Sequence, residues 1–300
     1  MPERSERQTE GALRPSLFLG AWTLPAEGGR RKAEGGRRKA EGGRRKASER
    51  RCRVRTRMYP DGVPLRNDQG IVLRGFPFGE ADRVVVLLSP NHGKVRAVAK
   101  GVRKTKSRFG GRLEPFTHVD LVLYEGRNLD TITQVSVIEA YPVLRGDLDR
   151  VLAAGTMVEV VDAVTQEDES SIRAFLLLRQ GLAALEAGPR HPDLVAAFLL
   201  KAAEVVGVAP ALEECAGCGR VDGLVKFSFS AGGALCERDS VPGSVALRPG
   251  LTTYLARLAE ADLGALPPHD ADFSGEAMGV TKRFIEYHID RRLKSLAIDA

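Results

Sequence analysis

The sequence predicts an α+β multidomain chain, in which a small closed β-barrel precedes an α-helical domain carrying a zinc-ribbon-like insert. Three observations point there. Five short β-like runs crowd into one stretch after Gly70, helical periodicity replaces them from Asp147, and a Cys-x-x-Cys pair with a third cysteine interrupts the helices. The expected boundaries are a basic tail over residues 1–57, a barrel over 58–140 and a helical domain over 141–300, with its insert at 213–243.

The tail repeats AEGGRRK three times, at 26–32, 33–39 and 40–46. Seven residues is a coiled-coil period, but one alanine and two glycines per repeat cannot bury a seam, so disorder is expected. A basic arm that holds phosphates is one reading. The favoured one is a true start at Met58, with upstream sequence translated in frame. The tail also accounts for the charge. Lys and Arg outnumber Asp and Glu by 17 to 7 over residues 1–57, but trail them by 28 to 32 over residues 58–300. The whole-chain value of +6 is therefore no guide to a partner. No run of apolar residues is long enough for a membrane-spanning helix.

The β-like runs are 71–74, 83–89, 94–100, 117–124 and 129–138, rich in Val, Leu, Ile and Thr, with turn sequences at 90–93 and 125–128. Five short strands suit an OB-fold, and an SH3-like barrel suits the periodicity nearly as well. Helices are expected over 147–164, 170–187 and 193–206, capped by Asp147, Ser170 and Asp193, then around 249–259 and over 274–296.

The third and fourth runs bracket a concentration of positive charge. Lys94, Arg96, Lys100, Arg103, Lys104, Lys106, Arg108 and Arg112 fall within 19 residues that contain no acid. Flexible cations displace condensed counterions from phosphates, and the glycines of 101–111 let a backbone come close. Arg83 extends the patch from a neighbouring strand. Charge runs are ordinarily solvated faces. The lack of acids and the position between barrel strands favour a nucleic acid here. Phe109 is a candidate to stack on a base, although a lone loop aromatic more often caps the local core. Nothing in the strip reads sequence, so contact through phosphates and shape is expected.

Cys215-Ala-Gly-Cys218 is followed, after 17 residues, by Cys236-Glu-Arg-Asp239. Two knuckles at this spacing place four ligands around one zinc ion, in the manner of a protein from a reducing cytosol. Asp239 stands where a fourth cysteine is usual; Glu237, His191, His269 or a water are other candidates for that place. A structural Cys3Asp zinc site is favoured over a decayed site without metal, and both over a catalytic zinc. The phosphate-binding GxxxxGK[ST], GxSxG and HExxH patterns are absent. His92, His118, His191, His269 and His288 are scattered without ligand spacing, so a non-catalytic protein is expected.

The segments GIVLR (70–74), GEADRVVVLLS (79–89), HGKVRAVAKGVRKTKSRFGGRLEPF (92–116) and DLVLYEGRNLDTITQ (120–134) closely resemble the N-terminal domain of the RecO family. The likeness continues through CAGC, FSFSAGGALC (227–236) and FIEYHIDRRLKS (284–295), covering about 58–296. The resemblance implies an OB-fold, with residues 60–67 as a small insertion ahead of its first strand, followed by a helical domain with a zinc-finger insert. It implies a cytoplasmic, nucleoid-associated recombination and repair mediator. Such a protein binds single- and double-stranded DNA and anneals complementary strands. It acts with RecR and single-stranded-DNA-binding protein to load recombinase in the RecF pathway. On that basis the cations from Lys94 to Arg108 are DNA contacts. The alternative is an RNA-binding or protein-interaction adaptor without annealing activity.

Overall fold

The computed structural model describes residues 65–104, 107, 109–126, 128–167 and 169–296. The tail repeat, and two cations of the strip, Lys106 and Arg108, lie outside the described residues.

Five strands close into a barrel in the order β1-β2-β3-β5-β4. β1 (Leu65–Phe78) serves two partners. Its first half pairs antiparallel with β4 (His118–Tyr124) and its second half with β2 (Asp82–Ser89). A register shift between Val72 and Arg74 marks the change of partner, a bulge that lets one strand bend round the barrel. β3 (Gly93–Ala99) runs antiparallel to β2 and meets β5 (Asp130–Glu139) in a parallel contact, while β5 returns antiparallel along β4. This closed five-strand arrangement is OB-like.

β1 is far longer than the four residues expected, and part of the supposed insertion belongs to it. Leu65, Arg66 and Asn67 pair with Tyr124, Leu123 and Val122. That end is polar and held by ladder hydrogen bonds, so it leaves no apolar alternation to read.

β2 shows the opposite case. Val84 to Leu88 are all buried, because both faces are covered. Val85 and Leu87 join Val72, Val119, Leu121 and Ile132 inside the barrel. Val86 and Leu88 join Ile71 and Leu73 in a core shared with the helices. Two-sided burial is why the strand reads as an unbroken apolar run. Phe109 and Leu113 complete the barrel interior.

The helices are α1 (Pro142–Arg145), α2 (Leu148–Val164), α3 (Ile172–Glu186), α4 (Leu194–Val205), α5 (Leu251–Glu260) and α6 (Ala271–His288). α4 is buried from Leu194 through Leu200 and forms the centre of the helical core. Of the three expected caps only Asp147 acts as one, its carboxylate accepting the Arg150 amide at 3.1 Å. The Ser170 hydroxyl instead donates to the Pro90 carbonyl, tying the start of α3 to the β2–β3 turn. Asp193 accepts from the Tyr254 hydroxyl at 2.7 Å and from His269 Nδ1 at 2.8 Å.

α6 starts earlier than expected, capped by Asp270, and stops at His288 rather than running to 296. Asp290 adopts a φ of 48°, which no helix tolerates. The chain then turns so that the Lys294 and Ser295 amides donate to Glu159 on α2, at 3.0 and 2.9 Å. Between α4 and α5 lies a three-stranded sheet in the order β7-β6-β8, with Cys215 and Cys218 in the turn before it and Cys236 at the end of β7: β6 (Leu224–Ser228), β7 (Gly233–Cys236) and β8 (Val245–Ala246).

Candidate nucleic-acid interface and metal centre

The acid-free strip begins on β3, where outward Lys94 and Arg96 alternate with buried Val95 and Ala97. Lys94 is largely enclosed. Its ammonium donates to the Asp162 carbonyl on α2 at 2.6 Å and lies 3.1 Å from the same residue's carboxylate, leaving the side chain 14% exposed. Arg74 donates to that carboxylate from β1 at 3.1 Å. Lys94 is thus a strut between barrel and helix. Arg96 is exposed, with only a loose 3.8 Å approach to Glu167. Arg83 pairs with Glu114 at 3.0 Å.

Beyond β3 the chain changes character. Lys100, Arg103, Lys104 and Arg112 are exposed, and the loop that presents them is anchored mainly through its backbone. The Gly101 amide donates to the Asp82 carboxylate at 2.7 Å, and the Arg103 amide to the Ala81 carbonyl at 3.0 Å. Gly101 has a φ of 70°, a conformation that favours glycine. Further along, Ser107 receives the Phe109 amide at 3.2 Å. Phe109 itself is 1% exposed inside the barrel. It is an anchor, and the base-stacking candidacy fails because its ring is already packed. The outcome is a loop fixed at both ends with cations at its surface.

The insert brings Cys215, Cys218, Cys236 and Asp239 together, with one ligand atom from each inside a 4.8 Å sphere of mutual distances. The first knuckle turns at Gly219, whose φ is 73° and whose amide donates to the Cys215 carbonyl at 2.8 Å. A Cβ at Gly217 would lie 3.0 Å from that of Asp239, so the knuckle and the fourth donor pack tightly.

The donor spacing fits one ion. Tetrahedral zinc, with bonds of about 2.3 Å to sulfur and about 2.0 Å to oxygen, sets sulfurs about 3.8 Å apart and sulfur from oxygen about 3.5 Å. The Cys218 and Cys236 sulfurs are 3.9 Å apart, and Asp239 Oδ2 lies 3.4 Å from Cys215 and 3.2 Å from Cys236. Hydrogen bonds from Cys218 and then the other two thiols hold the Asp239 carboxyl down to about 2. The same carboxylate pushes the Cys218 thiol up to about 11, whereas the Cys236 amide lowers Cys215. The other candidates for the fourth place are engaged elsewhere: Glu237 with Lys226, and His191 and His269 around Asp193.

Two polar clusters escaped the sequence reading. Asp68, buried on β1, accepts from Asn91 at 2.9 Å, from His92 at 2.7 Å and from the Ser89 hydroxyl, and so fixes the β2–β3 turn. Asp193, Tyr254 and His269 lock α4 to the α5–α6 connection. In both, the partners are distant in sequence and no local pattern announces them.

An OB-like barrel with an exposed cationic loop, joined to helices bearing a four-donor knuckle, is the architecture of a nucleic-acid-handling protein. The comparisons make it specific. The family models for the N- and C-terminal parts of recombination protein O match residues 65–141 and 145–297. A DNA repair protein RecO from a Nocardioides species is 46% identical over 239 residues, 78% of this chain and 98% of the relative. The DNA repair protein RecO of Frankia casuarinae is 41% identical over 237 residues, 78% of this chain and 98% of its own. That of Thermobifida fusca is 41% identical over 239 residues, 79% of this chain and 98% of its own. The chain belongs to the RecO family of DNA repair proteins. Among the described residues no helix is long and apolar enough to cross a membrane.

Proposed function

We propose that this protein binds single- and double-stranded DNA through the cationic loop and anneals complementary strands. In that reading it assists recombinase loading in the RecF pathway together with RecR and single-stranded-DNA-binding protein, at the nucleoid in the cytoplasm. One observation carries the proposal: exposed Lys100, Arg103, Lys104 and Arg112 stand on a backbone-anchored loop of an OB-like barrel in a DNA repair family. Lys106 and Arg108 share the acid-free sequence and join the contact set, with Arg96 and Arg83 at its flanks. Lys94 acts behind it by neutralising Asp162.

The mechanism needs no covalent step. Two DNA strands repel through their phosphates, and cations on one surface replace their counterions and let base pairs form. No residue is given a catalytic role. Zinc held by Cys215, Cys218, Cys236 and Asp239 would serve structure, bracing a small sheet whose own core is little more than Cys215, Leu235 and Cys236. Metal analysis of the purified protein should find close to one equivalent of zinc, and less than half an equivalent would favour a decayed site.

Annealing of complementary labelled oligonucleotides tests the function directly. Replacing Arg103, Lys104 and Lys106 together by alanine should slow annealing at least about tenfold, as expected for the loss of three phosphate contacts. Unchanged annealing at several salt concentrations would remove the loop from the mechanism. RNA competing equally with single-stranded DNA would favour the RNA-binding alternative.

A further inference from the structure

Three residues after Arg112, at the end of the cationic strip, the chain enters a groove between the barrel and α2. Its volume is about 530 Å³, within the range of about 300–1,000 Å³ that accommodates small ligands. Arg74 on β1 and Arg291 beyond α6 flank it, with side chains 54% and 47% exposed. The carboxylates beside them are already in use. Asp162 is held by Lys94, and Glu159 by the amides of Lys294 and Ser295. Arg74 also pairs with Asp162 at 3.1 Å, and Arg291 lies 3.8 Å from Glu159. Together with Lys94, three cations thus face two acids, and the rim keeps a surplus of one positive charge.

Two further features shape the groove, whose aromatic, Phe116, is partly buried against the helical core. Phe116 lines it with a φ of 73°, a left-handed conformation that is strained for a bulky side chain. The strain is imposed by neighbours. Its amide donates to the Val72 carbonyl at 2.8 Å, and Arg145 clamps Pro115 and Thr117 while its guanidinium lies 5.8 Å from the Phe116 ring centre. Gly155 lies in the interior of α2, where glycine weakens a helix relative to alanine. A Cβ built there meets nothing within 4 Å, so packing does not require the glycine. It leaves the groove wall bare, as at sites where a ligand approaches a backbone closely.

We propose that this groove is a second DNA contact that takes one nucleotide of a single strand leaving the loop. The phosphate lies between Arg74 and Arg291, and the base lies against Phe116 over Gly155. An aromatic platform in a cationic groove is the usual means of holding single strands without reading sequence. The inference rests on the DNA-binding reading above, and its test is separable from that reading.

Trp22 is the sole tryptophan of the chain. Phe116→Trp, in a chain with Trp22→Phe, places one emitter in the groove. Titration with oligo(dT), with saturation followed by anisotropy of the labelled strand, should quench its emission. Gly155→Ala should raise the melting temperature while weakening oligo(dT) binding about fivefold, the loss expected from disturbing one stacked base. Arg74→Ala with Arg291→Ala should weaken binding and flatten its salt dependence. Unchanged emission from a folded Phe116→Trp protein at saturation, or parental affinity in Gly155→Ala, would overturn the groove site. The same titration in a loop-alanine background reports on the loop independently: parental affinity there would count against the loop and not against the groove.

Discussion

Lys94 and Arg103 belong to one acid-free strip, yet the structure uses them in opposite ways. Lys94 is nearly enclosed and bound to Asp162, a residue 68 positions away in sequence. Arg103 is exposed, and its firmest tie is through its backbone amide. A charge pattern in a sequence records where charge is, not whether it is free. Availability is decided by which distant elements fold against the strip, and here α2 covers the strand end and leaves the loop end open.

This contrast can be broken from either side. The largest effect should come from the anchor beneath the loop. Phe109→Ala empties a buried aromatic site in the barrel and should cost about 4 kcal/mol in denaturant unfolding. An unchanged unfolding midpoint would mean that the loop is not held by its ring.

Lys94→Ala leaves the Asp162 carboxylate short of one of its two cations in a partly buried setting, and should cost about 3 kcal/mol. DNA affinity of the folded variant should stay near the parent's. A variant of full stability with weakened DNA binding would move Lys94 from strut to contact.

The Asp68 cluster at the β2–β3 turn should produce a smaller, pH-dependent effect. Burial pushes its carboxyl up, but hydrogen bonds from Ser89, His92, Asn91 and the Gln69 amide together outweigh burial and hold it below the ordinary value. Because the folded value is depressed, the stabilisation is complete above the unfolded value of about 3.9 and is lost as pH falls through the folded one. Asp68→Asn should therefore destabilise the protein at neutral pH, with the gap to the parent closing in acid. A gap that stays constant down to acid unfolding would assign the cluster a packing role only.

Much of the fold was legible because it depends on local pattern. The β2 run, the 90–93 turn, the Asp147 cap and the paired knuckles all declare themselves within a few residues. The polar first half of β1 did not, since only pairing with β4 makes it a strand. The end of α6 was missed for a similar reason. The sequence after His288 keeps a helical look, but Glu159 on α2 captures the Lys294 and Ser295 amides. At the candidate sites, spacing alone pointed to Cys215, Cys218, Cys236 and Asp239, and the four donors do converge. The strut role of Lys94 and the packing of Phe109 needed the barrel and the helices to be assembled first.

The central claim is that the loop end of the strip holds DNA through phosphates. Its most direct test is the affinity for single-stranded DNA across a salt series, comparing the parent with Lys100→Ala, Arg103→Ala and Lys104→Ala combined. These exposed changes should leave stability within about 0.5 kcal/mol of the parent. The slope of log affinity against log salt should flatten by about 2, from three phosphate contacts at about 0.7 each. Superimposable lines for the two proteins would contradict the account.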